Sequence, residues 1–571
     1  MFSRFFCSIR SNPWLAVILV SAFLVRILGI GYGQPYHFFG DEEALVFGAL
    51  KMLELKTLFP VFHWEAFHQL LYYPPFLSYL YLLIFIPVLG IKYLLLGAPT
   101  LAILKTTLIA DPSVFWFSAR FLNVCFSLAN IYLVYKIAEL LFKNRIIALF
   151  SALFLATSFI DINVAFTARH WTATLFFSLL ALWFAFQALN KPEKAKYFSL
   201  GTGLSLGVSF GMGYLVFFLP VIGCLYIFWG KQSRQSIINN LFYFGSAFGV
   251  IALIAIILHP QPFIQQVLVH TYSPVGVTKN IRTFLHYYLN VLWNYETLLL
   301  VFASAGLIFL LKKEQKIFAI FAAFYLIVSV IMYVFLWNIP RYLTPFLPIM
   351  AVSAGYGVFS LSGLLGRWLP IKTSIFVFAF VLSAYSLVGL GRFNFLLVQG
   401  DTRLAAKNWL EALAPMDSIV VYSGGVRPTP TLLAMAMQTK IAPNSLRSAE
   451  TIYLDRVLPP PEKAVNTFPL MFIGDTATKE AIIARALADF SGKHYLVTDS
   501  WLKPDETQNR LLAKAKLVKT FQGSDAEAGN ASPDGTGALF IGGEAHTVTR
   551  FIPRLLFKIN QLGPTIYIYQ L

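Results

Sequence analysis

The chain has 571 residues, 57% of them hydrophobic and only 12% charged, with a formal net charge of +17. Soluble domains are about one quarter charged, so this composition excludes an ordinary soluble enzyme and points to a protein that crosses a membrane many times. The positive balance, which in a soluble chain would suggest nucleic acid, is accounted for by short basic loops between apolar runs, so no nucleic-acid partner is expected. Aromatic residues at 16% suit lipid-facing surfaces and interfacial belts. The three cysteines, Cys7, Cys125 and Cys224, form no CxxC and argue against a zinc site.

Arg4 and Arg10 precede the first apolar run, and no small-x-small cleavage site follows, so the N-terminus reads as an uncleaved anchor. Runs long enough to cross lie near 13–31, 116–140, 146–163, 171–188, 197–211, 214–230, 237–258, 294–311, 317–336, 342–364 and 373–391, about eleven in all. Lys143/Arg145, Lys191/Lys194/Lys196, Lys231/Arg234, Lys312/Lys313/Lys316 and Arg367/Lys372 then fall on the side of Arg4 and Arg10, which the positive-inside rule makes cytoplasmic. The apolar stretch 72–109 breaks this alternation if it crosses once. It is therefore read as in-plane, as re-entrant, or as two crossings that cancel. The outer side receives residues 32–115, the turn near 164–171, the loop 259–293, the turn near 337–342 and everything after 392. All nine histidines fall there as well.

After Gly391 the composition turns charged and rich in Gly, Pro and Asp. "LAAKNWLEALA" (404–414) reads as a helix, and "SIVVYS", "PLMFIG", "HYLVTDS", "AKLVKTF", "ALFIGG" and "TIYIYQ" read as short strands. The stretch 523–536 reads as a loop. The expectation is a membrane domain over 1–395 and an extracytoplasmic α/β domain over 396–571.

The chemistry begins at "GDEEALVFGALKML" (40–53). Asp41 fits a helix N-cap, with Glu42 and Glu43 favourably placed in the first turn against the helix dipole. A carboxylate fixed at a membrane surface also fits a general base. Arg26 lies inside the first crossing and must face protein or water.

The string "GDEEALVFGALKML…FP…YYPPFLSYLYLL" resembles the first external loop of the GT-C glycosyltransferase superfamily, in the branch of the protein O-mannosyltransferases and the lipid A aminoarabinose transferase. "SARFLNVCFSLANIYLVYKIAELLFKNR" (118–145), "RYLTPFLP" (341–348) and "DTRLAAKNWL" (401–410) match in the same order. The resemblance implies a polytopic membrane glycosyltransferase that moves a sugar from a polyprenyl-phosphate carrier to a hydroxyl acceptor on the outer face of a cell membrane. It makes Asp41 the base, Glu42 its supporting partner, and Arg120 the Arg at the outer end of the next crossing. Arg341 is then a phosphate contact, because a guanidinium suits phosphate oxygens, and Arg120, Arg169, His170, Tyr342 and Tyr73 are further expected contacts to the carrier phosphate or the sugar. The bland reading of Arg120 and Arg341 is snorkelling at a helix end.

Two positions depart from the branch. Where relatives place an Asp in the second external turn, "DINVAFTARHWTATLFF" offers Trp171 or Thr172. Arg169 and His170 could replace it with positive charge, or Asp161 could fold back. Where a Lys follows the Gly-rich crossing, this chain has Gly213. No cofactor is assigned. External histidines and Glu65 leave room for a divalent metal, but no ligand spacing supports one. Three other readings stand beside the transferase: a ligase for lipid-linked oligosaccharides, a lipid-linked sugar transporter or flippase, and an inactive glycan-binding membrane scaffold. A transporter would show inverted repeats and polar mid-bilayer residues, and no repeat is present.

Overall fold

A computed structural model describes residues 12–413 apart from 35–41, 68–69, 214–216, 230–232, 265–280, 336–339 and 367. Beyond these it describes 418–422, 466–469, 492–500, 504–523, 556–557, 559–571 and four single positions between them. The helices used below are Pro13–Ile27 (α1), Glu42–Glu54 (α2), Phe76–Leu95 (α3), Leu101–Ala110 (α4), Ser113–Phe142 (α5), Arg145–Ala156 (α6), Phe159–Ala165 (α7), Trp171–Asn190 (α8), Ala195–Gly213 (α9), Phe218–Phe228 (α10), Arg234–Leu258 (α11), Ile281–Tyr295 (α12), Thr297–Lys313 (α13), Gln315–Phe335 (α14), Leu347–Leu365 (α15), Ile371–Gln399 (α16) and Thr402–Leu413 (α17).

Among the described residues seven helices are long and apolar enough to cross a bilayer, or nine if each of two bent pairs is one span. The chain is a multi-pass membrane protein, and the expected count of about eleven crossings is not confirmed among the described residues. The run 146–163 breaks between α6 and α7 with a bend of 59°, and the run beginning at 294 breaks between α12 and α13 with a bend of 112°. Pro13–Ile27 and Phe218–Phe228 are shorter than the others. Each break is held by polar side chains. Ser158 caps α7, and the buried Glu296 accepts from the Ser158 hydroxyl (2.7 Å) and the Ile160 amide (2.8 Å). A carboxylate at a helix N-terminus satisfies amides that the bend would leave bare.

Buried ion pairs fix the bundle. Arg26 of α1 meets Asp161 of α7 at 2.7 Å, donates to Ser127 of α5 at 2.8 Å and reaches the Ala156 carbonyl at 3.0 Å. Both charges are fully buried, so Arg26 faces protein. Asp161 is consumed by this pair and does not stand in for the carboxylate missing from the second external turn.

The stretch 72–109 contains two helices, α3 and α4. Tyr81 accepts from Asn123 (3.2 Å), and Phe85 packs edge-on to Phe115 with ring centroids 4.9 Å apart. Thus α3 runs beside the first turns of α5 toward its N-terminus, and α4 returns the chain to Ser113. The helix α3 is long and apolar enough to span a bilayer.

Beyond α16 the chain forms a five-stranded mixed sheet from Ile419–Tyr422 (β1), Asn466–Pro469 (β2), His494–Asp499 (β3), Lys516–Phe521 (β4) and Ile566–Gln570 (β5), in the order β2-β1-β3-β5-β4. The strand β1 runs parallel to β2 and β3, while β5 is antiparallel to β3 and β4. Ala406 and Leu410 of α17 bury against Val420, Val497, Ile566 and Ile568. Four of the expected strands coincide with β1, β3, β4 and β5. β2 ends at Pro469, where "PLMFIG" begins, and "ALFIGG" and the loop 524–536 lie outside the described residues.

Candidate active site

The segment between α1 and α3 folds back onto the bundle. The helix α2 is buried along nearly its whole length, with few polar side chains to keep it in water. Ser78 of α3 donates to the Leu45 carbonyl (2.9 Å), and Phe47 meets Trp116 of α5 edge-on at 5.4 Å. These contacts carry the N-terminus of α2 over α5 and set Glu42 against Arg120.

The pair is complete and dry. Arg120 donates from Nε to Glu42 Oε1 at 3.0 Å and from Nη2 to Oε2 at 2.8 Å, with both side chains fully buried. Such a two-pronged pair fixes orientation as well as charge. Arg120 Nη1 donates to the carbonyls of Ile30 (2.9 Å) and Tyr32 (2.8 Å). Arg120 is therefore not a snorkelling residue. These four bonds go to protein groups that it positions, which leaves little of the guanidinium to meet a phosphate. Asp41, the expected base, lies outside the described residues, immediately before Glu42.

The loop 167–170 closes over the same carboxylate. The Ala168 amide donates to Glu42 Oε1, and Asn123 of α5 donates to the carbonyls of Thr167 and Arg169, the latter at 2.7 Å. Sequence reasoning missed Asn123, because one Asn in an apolar helix carries no pattern. Arg169 and His170 are buried beside it. From there a row of rings crosses the site: Tyr73 to His170 at 4.8 Å, His170 to Trp171 at 4.8 Å and Trp171 to Tyr342 at 5.2 Å between centroids. Arg341 ends the row with its guanidinium 5.6 Å from the Tyr342 ring centroid. Tyr73, His170, Tyr342 and Arg341, far apart in sequence, thus lie along one line. Trp171, one of the two residues at the place where the resemblance leads one to expect an Asp, is an inner ring of that line.

Gly213 closes the floor. A Cβ there would stand 2.5 Å from His170 Cδ2, so any side chain at 213 would displace the imidazole. At the edge of the site the buried His259 contacts the Leu71 carbonyl through Nε2 at 2.6 Å. Burial lowers its pKa to about 4 despite the partial offset of that bond, so the ring is neutral at pH 7 and Nε2–H donates. This bond ties the segment before α3 to the end of α11.

Next to Arg341 an apolar cleft of about 210 Å3 opens between α12, α13, α14 and α15, lined by Tyr288, Leu292, Leu307, Met332, Leu343 and Phe346 among others. Among the described residues no three His, Cys, Asp or Glu side chains gather into a metal-binding group. Lys279 lies outside the described residues, and Arg282 is exposed on α12.

Residues 99–259 match the family model described as dolichyl-phosphate-mannose-protein mannosyltransferase. Among solved structures, the chain is similar to the oligosaccharyltransferase of Archaeoglobus fulgidus in complex with Zn and sulfate, at 13% identity and a TM-score of 0.45, covering 85% of this chain and 68% of that one. It is also similar to ArnT from Cupriavidus metallidurans bound to undecaprenyl phosphate, at 11% identity and a TM-score of 0.43, covering 88% of this chain and 95% of that one. No curated protein sequence matches the chain.

Proposed function

We propose that this chain is a membrane glycosyltransferase of the GT-C superfamily, a reading supported by the family-model match over residues 99–259, and that it takes its sugar from a polyprenyl-phosphate carrier and uses Asp41 as general base. Asp41 takes the proton of the acceptor hydroxyl as that oxygen bonds the anomeric carbon. The carbon–oxygen bond to the carrier phosphate breaks, and the phosphate leaves with the bonding electrons. A lipid phosphate is a good leaving group, so the site needs a base and a cation more than a strong acid. Glu42 and Arg120 hold the base's segment in place, and Arg341 meets the departing phosphate.

The observation that carries this reading is the placement of Arg341. It stands half-buried at the end of the aromatic row, two residues from Leu343 in the wall of the apolar cleft. A cation beside an apolar cleft suits a ligand with a phosphate head and an isoprenoid tail. The test is transfer from a purified polyprenyl-phosphate sugar by the detergent-solubilised protein. Arg341→Ala is expected to lower kcat/KM for the donor by about 10- to 100-fold, the scale of a charge-assisted hydrogen bond, and Arg341→Lys by less, since charge survives while the fork is lost. Wild-type turnover in both variants would reduce Arg341 to an interfacial anchor.

The site faces outward in this proposal. The ends of α5, α8 and α13 opposite the site carry Lys143 and Arg145, Lys191 and Lys194, and Lys312 and Lys313, so the basic loops share the other pole. A Cys introduced at Ser524 should react with an impermeant thiol reagent in intact cells, and one at Gln315 should not. Labelling confined to Gln315 would reverse the orientation.

A further inference from the structure

The residue that Arg120 grips from below is itself gripped from above by the C-terminal region. Tyr32, buried, accepts from Arg120 through its backbone carbonyl at 2.8 Å, and its hydroxyl donates to Asp401 Oδ2. Asp401 is buried and takes a two-pronged pair from Arg403, Nε to Oδ1 and Nη2 to Oδ2, both at 2.8 Å.

This pair belongs to a seam with the last residues of the chain. The Thr402 amide donates to the Leu562 carbonyl (3.0 Å), and its hydroxyl donates to the Pro564 carbonyl (2.7 Å). Gly563 between them has φ +90°, and a Cβ there would stand 2.5 Å from Asp401 Oδ1, so the backbone closes over the carboxylate as only glycine allows. Leu556, Ile559 and Leu562 are buried in the same apolar cluster as the membrane helices. Arg392 of α16 donates to the carbonyls of Leu556 (3.2 Å) and Ile559 (2.6 Å).

We propose that Tyr32, Asp401 and Arg403 are positioning residues through which the C-terminal region, by way of Arg120, sets Glu42 at the start of α2 for transfer. The chain of bonds is short, with Arg403 half-buried at its outer end and the rest buried: Arg403 to Asp401, Asp401 to Tyr32, Tyr32 to Arg120, Arg120 to Glu42. Each link is a directed hydrogen bond, so a shift of the seam moves Arg120 and with it the N-terminus of α2. Four residues of α17's first turn and the preceding segment, "DTRL", thereby acquire a reason to stand where they do. The inference rests on the reading of Asp41 as base, but its mechanical part does not.

Tyr32→Phe removes the one hydroxyl that joins the seam to the site and keeps the ring. The measurements are kcat and KM for transfer from a purified polyprenyl-phosphate sugar, together with amide hydrogen exchange over residues 42–54 of the full-length protein in detergent. The expected result is a fall in kcat of about tenfold, in keeping with the sensitivity of transfer to small misplacements. KM for the donor should stay within about twofold, as for an interaction that does not bind the ground state, and exchange over 42–54 should quicken. Asp401→Asn should shift the same three readouts in the same direction and serves if Tyr32→Phe does not fold. Unchanged kcat in the folded variant, or a lowered kcat with unchanged exchange over 42–54, overturns the proposal. If the wild type transfers no sugar from the supplied carrier, the donor reading fails, and exchange over 42–54 alone decides whether the seam holds the site.

Discussion

Asp41→Asn is expected to lower sugar transfer by about 100-fold or more, the usual scale for loss of a general base, while leaving the fold within about 1 kcal/mol of wild type. The two consequences separate because Asn caps a helix nearly as well as Asp. The described helix begins at Glu42. What Asn cannot do is take a proton from the acceptor hydroxyl. Transfer from a purified polyprenyl-phosphate sugar and a melting curve on the same detergent preparation check both halves. Full activity in Asp41→Asn would leave the cluster with a capping role only.

Glu42→Gln is expected to act on the fold first, with a loss of about 3–5 kcal/mol, the cost of leaving one member of a buried ion pair without its partner. Arg120 would keep its bonds to the carbonyls of Ile30 and Tyr32. Its Nε and Nη2, however, would face an amide of which only the oxygen accepts. The Ala168 amide, which donates to Glu42 Oε1, would compete for that oxygen. A Glu42→Gln/Arg120→Gln double variant should recover part of the loss, because neutralising both partners removes the stranded charge, and such neighbouring substitutions are not additive. Melting of Glu42→Gln at the wild-type temperature would show that the pair is not held as described. The two substitutions of adjacent carboxylates thus have opposite signatures, the first in turnover and the second in stability.

The gross architecture was legible because membrane solvation writes itself into sequence. Apolar runs, basic loops and the compositional change after Gly391 required no knowledge of tertiary contacts. Four of the strands were legible for a similar reason, since a short β-branched or aromatic run bounded by turn residues has few other uses. The breaks were not. Nothing local marks Ser158 or Glu296 as the ends of bent helices, and the bend exists because each satisfies the other across 138 positions.

The same division runs through the candidate site. The sequence by itself singled out Asp41, Glu42, Arg120, Arg169, His170, Arg341, Tyr342 and Tyr73, through order, residue type and a family resemblance. It could not tell a cation that meets substrate from one that builds the site. Only the tertiary structure separated Arg120, buried against Glu42 and two carbonyls, from Arg341, half-buried beside an apolar cleft. Only it assigned Asp161 to Arg26 and joined Tyr32 to Asp401 across 369 positions. The reason is physical. Residue type and hydropathy fix which solvent a segment prefers, but a buried charge is stable only with a particular partner, and that partner is chosen by packing in three dimensions.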